Sequence, residues 1–130
     1  MSKQIYIQTL LGKTFVKVSS YGEGKCLAFF EKGGKVFAFF HEQECCEEVT
    51  IEEIAGELSS LEGNPILVAE ESTQEKGGCD DNEHQTWTFY KFATIKGWVD
   101  VRWCGVSNGY YSEKVSLFEY EDKEEFQDCF

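Results

Sequence analysis

The sequence predicts an α+β fold: a single domain dominated by antiparallel strands, with one or two short helices near residues 42–62. Three observations predict it. Gly33-Gly34, Lys96-Gly97 and Asn108-Gly109 each lie between strand-like runs, and Asn-Gly favours the positive backbone angles of a tight hairpin. No stretch sustains the 3.6-residue apolar period of a long helix. Finally, 11 Phe, 6 Tyr and 3 Trp stand against a single Pro, a composition suited to strands. At 130 residues the chain is of one-domain size, 1–130, and can close a hydrophobic core without staples.

Taken in order, residues 3–9 alternate loosely and read as a first strand or a short docking segment. Leu11-Gly12-Lys13-Thr14 ends like a phosphate loop, but Ile7 stands where the first glycine must be, which rejects that motif. Thr14 to Ser19 is strand-like, with Thr14, Val16 and Val18 on one face. Tyr21-Gly22-Glu23-Gly24 is a turn. Cys26–Glu31 and Lys35–Phe40 are aromatic strands of a hairpin about Lys32-Gly33-Gly34, and Phe29, Phe30, Phe37, Phe39 and Phe40 are candidate core residues. Val49–Ile54 is β-branched and reads as a short strand or the start of a helical turn. Gly56–Gly63 looks like one helical turn closed by glycine. Pro65 opens a strand over Ile66–Ala69. Residues 72–85, STQEKGGCDDNEHQ, are polar and without periodicity, which predicts a mobile surface loop. A three-stranded meander follows, over Thr86–Ile95, Trp98–Cys104 and Tyr110–Tyr120, and 121–130 forms an acidic tail.

Charge narrows the function classes. The net charge is -12, so the phosphate backbone of a nucleic acid is a disfavoured partner. Such a chain is drawn to a basic surface on another protein, including a groove built to hold nucleic acid; plain solubility accounts for the same charge without a partner. MSKQIYIQTLLGK has no basic region followed by a long apolar run, so no signal peptide is expected. No segment approaches the ~20 apolar residues of a membrane helix. The expected location is the cytoplasm, where six cysteines are reduced thiols or metal ligands rather than disulfides.

The stretch His41–Glu53, HEQECCEEVTIEE, concentrates the chemistry. His41 and Cys45 are four apart and share one face of a helical turn, a spacing that suits an imidazole and a thiolate on one soft metal ion. Cys79 and His84 add a C-x4-H pair, and four such ligands would form a tetrahedral structural zinc site pinning the polar loop to the central turn. Cys46 is a further candidate ligand, and Glu47 or Glu53 could complete an oxygen-containing shell. Against this stands the plainer reading of a buried cysteine in an acidic turn, with Cys79 and His84 as loop residues. Gly105-Val106-Ser107-Asn108-Gly109 matches G-x-S-x-G, but a nucleophile elbow needs strand, turn and helix, and here the serine falls in a hairpin. Carboxylate pairs such as Glu70-Glu71 are too numerous to single out a catalytic one. Trp87, Phe89, Trp98 and Trp103 read as core or sheet-face packing before any ligand groove.

Three pieces carry a resemblance: HEQECCEEVTIEEIAGEL, the AEE at 69–71, and TWTFYKFATIKGWVDVRWCGVSNGYYSEKV at 86–115. With Leu11-Gly12-Lys13-Thr14 they resemble a family of small proteins of unknown function found in bacteriophages and prophages. The family's histidine followed by a cysteine pair is present as His41, Cys45 and Cys46. The resemblance implies a phage setting, where small acidic proteins include inhibitors of host defence, among them anti-CRISPR proteins that bind Cas9; this last step is an analogy of class. The expected function is a non-enzymatic inhibitor of a nucleic-acid-handling host protein, with a Cas9-type effector leading and direct nucleic-acid or membrane binding excluded. Its expected docking faces are Glu44, Glu47, Glu48, Glu52 and Glu53, and Glu119, Glu121, Glu124 and Glu125. The alternatives are a small metal-dependent hydrolase using His41 and its neighbouring glutamates, and a phage accessory protein with another target.

Overall fold

The computed structural model describes residues 3–77, 84–107 and 112–127. Among the described residues nine strands run in chain order: β1 (Lys3–Gln4), β2 (Phe15–Tyr21), β3 (Cys26–Glu31), β4 (Val36–Phe40), β5 (Glu48–Ala55), β6 (Val68–Gly77), β7 (His84–Thr94), β8 (Gly97–Ser107) and β9 (Ser116–Tyr120). Two 3-10 turns, Ile7–Leu10 and Leu58–Leu61, and one short helix, α1 (Lys123–Gln127), complete the described elements. The strands form two sheets, ordered β1-β9-β4-β3-β2 and β5-β8-β7-β6, and every paired neighbour is antiparallel. No described helix is long and apolar enough to cross a membrane.

The protein is therefore nearly all β, which corrects the α+β expectation. Helices were expected near 42–62, where the structure has β5 and a single 3-10 turn. Val49, Thr50, Ile51 and Ile54 suit a pleated surface, and β5 gains the whole edge of β8 as partner. A bulge between Ile51 and Glu53 breaks its two-residue alternation, which left a short strand and a helical turn both open in the sequence; the structure has the strand.

Two further expectations change. The polar stretch 72–85 is strand up to Gly77 and again from His84, with Ser72–Gly77 paired to Phe89–His84; residues 78–83 lie outside the described residues. This strand carries no apolar alternation because it is an edge, exposed along Glu70–Glu75. The third strand of the expected meander leaves its sheet: β9 pairs with β4 and β1 instead of β8. The Asn108-Gly109 turn falls outside the described residues. The Gly33-Gly34 hairpin forms as expected, with Glu31 N–H donating to Lys35 O at 2.9 Å and Gly34 in the left-handed region at φ 104°.

The core lies between the sheets. Phe15, Phe29, Phe37 and Phe39 of the first sheet meet Tyr90, Phe92, Val101 and Trp103 of the second. The closest ring pairs across the interface are Phe39–Tyr90 at 4.7 Å and Phe29–Phe92 at 5.1 Å between centroids. The first sheet also buries its other face. Cys26, Ala28, Phe30, Val36, Ala38 and Tyr120 form a second cluster under Phe126 of α1. Burial on both faces explains why CLAFF and VFAFF are continuous apolar runs and not alternating ones.

Candidate functional site

Between β4 and β5 the chain makes an acidic loop, His41–Glu47, wrapped around one carboxylate. Glu47 is 3% exposed. Its Oε2 accepts from His41 Nε2 at 2.7 Å and from Glu44 N–H at 2.9 Å, and its Oε1 accepts from Cys45 N–H at 2.8 Å and Gln43 Nε2 at 3.2 Å. His41 Nδ1 donates to the Lys114 carbonyl at 2.6 Å. Carboxylate and carbonyl both accept, so the ring meets both only with hydrogen on each nitrogen. Burial by itself would raise the Glu47 carboxyl. The His41 hydrogen bond and the backbone donors of Cys45 and Glu44 outweigh it and hold Glu47 down to about 2.

The residues expected as zinc ligands are placed as follows. His41 has both ring nitrogens engaged within the protein. Cys45 and Cys46 are paired with each other in an exposed turn. Cys79 lies outside the described residues. His84 sits on a different carboxylate, described below. Among the described residues no three His, Cys, Asp or Glu side chains gather as a metal site. Cys26 is a buried thiol pushed up to about 12 by desolvation, which leaves it inert.

The second carboxylate is Glu113, 5% exposed, in the segment between β8 and β9. It accepts from His84 Nδ1 at 2.8 Å, from Thr86 Oγ1 at 2.6 Å, and from the Ser107 hydroxyl. These donors share the inner face of β7 and β8, where His84 is the register partner of Ser107. Gly105 lets the segment lie down on β8: a Cβ there would stand 2.6 Å from the Glu113 Cβ. The G-x-S-x-G serine thus ends a strand with its proton directed at a carboxylate.

Beside Glu113 opens a cleft of ≈ 610 Å³ whose walls include Glu71, Thr73 and Glu75 of β6 and His84, Thr86 and Thr88 of β7. The inner face of these strands is apolar at Ala69 and Phe92 and becomes polar towards His84, so the sandwich is sealed at one end and open at the other. Burial first, then the Glu71 charge and hydrogen bond, push the Tyr90 phenol well above its ordinary range. Thr88 is 4% exposed, and its hydroxyl meets no hydrogen-bond partner among the described residues.

The expected docking glutamates separate into exposed and structural ones. Glu44, Glu48, Glu52 and Glu53 are exposed on the loop and β5, with Glu53 3.3 Å from Arg102. Glu47 is interior and not a surface group. Glu119 is half-buried and 3.8 Å from Lys35. Glu121 is exposed, while Glu124 and Glu125 stand in the first turn of α1, where negative charge suits the helix dipole. Sequence reasoning did not single out Glu75, Thr88 or Glu113. The alternation His84, Thr86, Thr88 on one face of a strand was the signal available, hidden by assigning 72–85 to a loop.

A family model described as a domain of unknown function (DUF7448) matches residues 8–117. No curated protein and no solved structure matches the chain.

Proposed function

We propose a role for a chain that belongs to the DUF7448 family, a domain of unknown function: it is a non-enzymatic binding protein that docks its acidic surface on a basic protein. The most concrete target is a nucleic-acid-handling host protein, a Cas9-type effector first, whose DNA handling it blocks. One observation carries the reading. Glu42, Glu44, Glu48 and Glu52 are exposed along the loop and β5, with no cation paired to them among the described residues. Unneutralised charge of one sign steers a basic partner into encounter. The anchored Glu47 beneath holds the loop in one shape, which lowers the ordering cost of binding. The likeness to phage and prophage proteins adds the setting, an inhibitor acting inside the host cell.

The test is DNA cleavage by a panel of Cas9 effectors with and without the protein, alongside sizing chromatography of the mixtures. Inhibition, a co-eluting complex, and loss of both with Glu44→Lys, Glu48→Lys and Glu52→Lys combined are expected. Binding should weaken with salt, since charges are screened over about 8 Å at physiological ionic strength. Unimpeded cleavage across the panel with no complex overturns the Cas9 reading.

A second reading has its own observation. His84 is held through Nδ1 on Glu113, leaving Nε2 without a protein partner among the described residues at the cleft, the arrangement of an oriented general base. Hydrolytic turnover lost in His84→Gln, with the fold intact, would favour this enzymatic reading over the first.

A further inference from the structure

We propose that the open edge of β6, with the cleft beneath it, is a docking slot for an extended basic segment of the partner, which adds to the second sheet as a fifth strand. The inference rests on the binding reading above and places the contact at a site that reading does not use.

Three independent observations meet there. First, β6 is the outermost strand of its sheet and ten residues long. The 3-10 turn Ile7–Leu10 contacts β6, but among the described residues no backbone hydrogen bond reaches residues 69–75 from the side away from β7. Such an edge presents a row of free N–H and C=O groups to an incoming strand. Second, the strand's inward side chains, Glu71, Thr73 and Glu75, line the cleft. An added strand sends every second side chain to that same side. Glu71 and Glu75 are four residues apart, about 13 Å along an extended chain, so lysines or arginines at positions i and i+4 of the incoming segment reach both. The cleft carboxylates Glu71, Glu75 and Glu113 stand against Lys114 and His84, which selects a cationic side chain over an acidic one. Third, Thr88 is 4% exposed and lines the cleft, and its unpartnered hydroxyl oxygen can accept from an ammonium or guanidinium donor.

The same glutamates also blunt an edge against self-association, a role that needs no partner. The experiment separates the two. Fluorescein-labelled decapeptides are titrated against the full chain and read by anisotropy. One alternates Lys and Thr, one has the same sequence with every backbone nitrogen methylated, and one alternates Glu and Thr. Strand addition requires the first to bind at least ~10-fold more tightly than the other two, a difference of about 1.4 kcal/mol. Amide hydrogen exchange at residues 69–75 should slow in that complex. Glu71→Gln with Glu75→Gln, the fold of each variant checked by its melting temperature, should weaken binding several-fold, and Thr88→Val should do the same. Absence of binding, equal binding of the N-methylated peptide, or protection confined to 44–53 overturns the proposal. In the last case docking through β5 survives and only the slot on β6 is lost; conversely, peptide addition at β6 with an unaffected nuclease panel sinks the Cas9 reading alone.

Discussion

Glu47 is a carboxylate that the protein keeps both interior and ionised. Its folded pKa of about 2 lies below the ordinary value of 4.5. Its stabilising contribution is therefore complete above about pH 4.5 and is lost as pH falls towards 2. Urea unfolding midpoints taken from pH 7 to pH 2 should fall through that window in the wild type and less steeply in Glu47→Gln, the two curves converging at the acid end. His41→Ala removes the imidazole donor from Glu47, which keeps the Glu44 and Cys45 N–H groups, and the imidazole donor from the Lys114 carbonyl. It should cost about 1–3 kcal/mol of stability, measured by the same unfolding curves. Because both nitrogens serve the protein, the variant's zinc content by elemental analysis should equal the wild type's. His41 and its glutamates were legible in the sequence as a concentration of chemistry. Which glutamate turns inward was not, since Glu47 and Glu48 differ only in the backbone direction of an irregular turn.

Strands are where the sequence misled in two places, and both have one cause. β5 and β6 are edges, each with a strand partner on one side only, and β5 is further broken by a bulge, so neither shows clean two-residue alternation. The central strands were readable because aromatic and β-branched residues crowd them. The helix α1 has five residues, too few for a periodic signal, yet Phe126 covers the outer face of the first sheet. Phe126→Ala should therefore destabilise by about 3–5 kcal/mol and expose Phe30 and Tyr120, seen as a lower melting temperature and new dye binding. At Gly105 the close approach of Glu113 leaves no room for a methyl group. Gly105→Ala should cost about 1–3 kcal/mol and loosen the His84–Glu113 contact, visible as a shifted His84 imidazole resonance.

Across the whole molecule, the crossing of β9 from the second sheet's hairpin to the first is what no local pattern could disclose. The strand propensity of Ser116–Tyr120 is visible in the sequence; its choice between β8 and β4 is decided by which open edge still needs cover. Assembly then waits for contacts between distant parts of the chain, with β9 pairing to β1 at the other end. Refolding followed by tryptophan fluorescence should fall in the millisecond-to-second range of all-β domains, and microsecond refolding would contradict this topology. The crossing has one more consequence. On its way between sheets the chain is gripped twice in succession, with the Glu113 side chain held by His84 and the Lys114 carbonyl by His41. Neighbouring peptide units cannot shift independently, so the open cleft and the acidic loop form one thermodynamic unit. A double-mutant cycle between His41→Ala and His84→Ala should give a coupling energy of about 0.5–3 kcal/mol, where independent sites would add to within a few tenths.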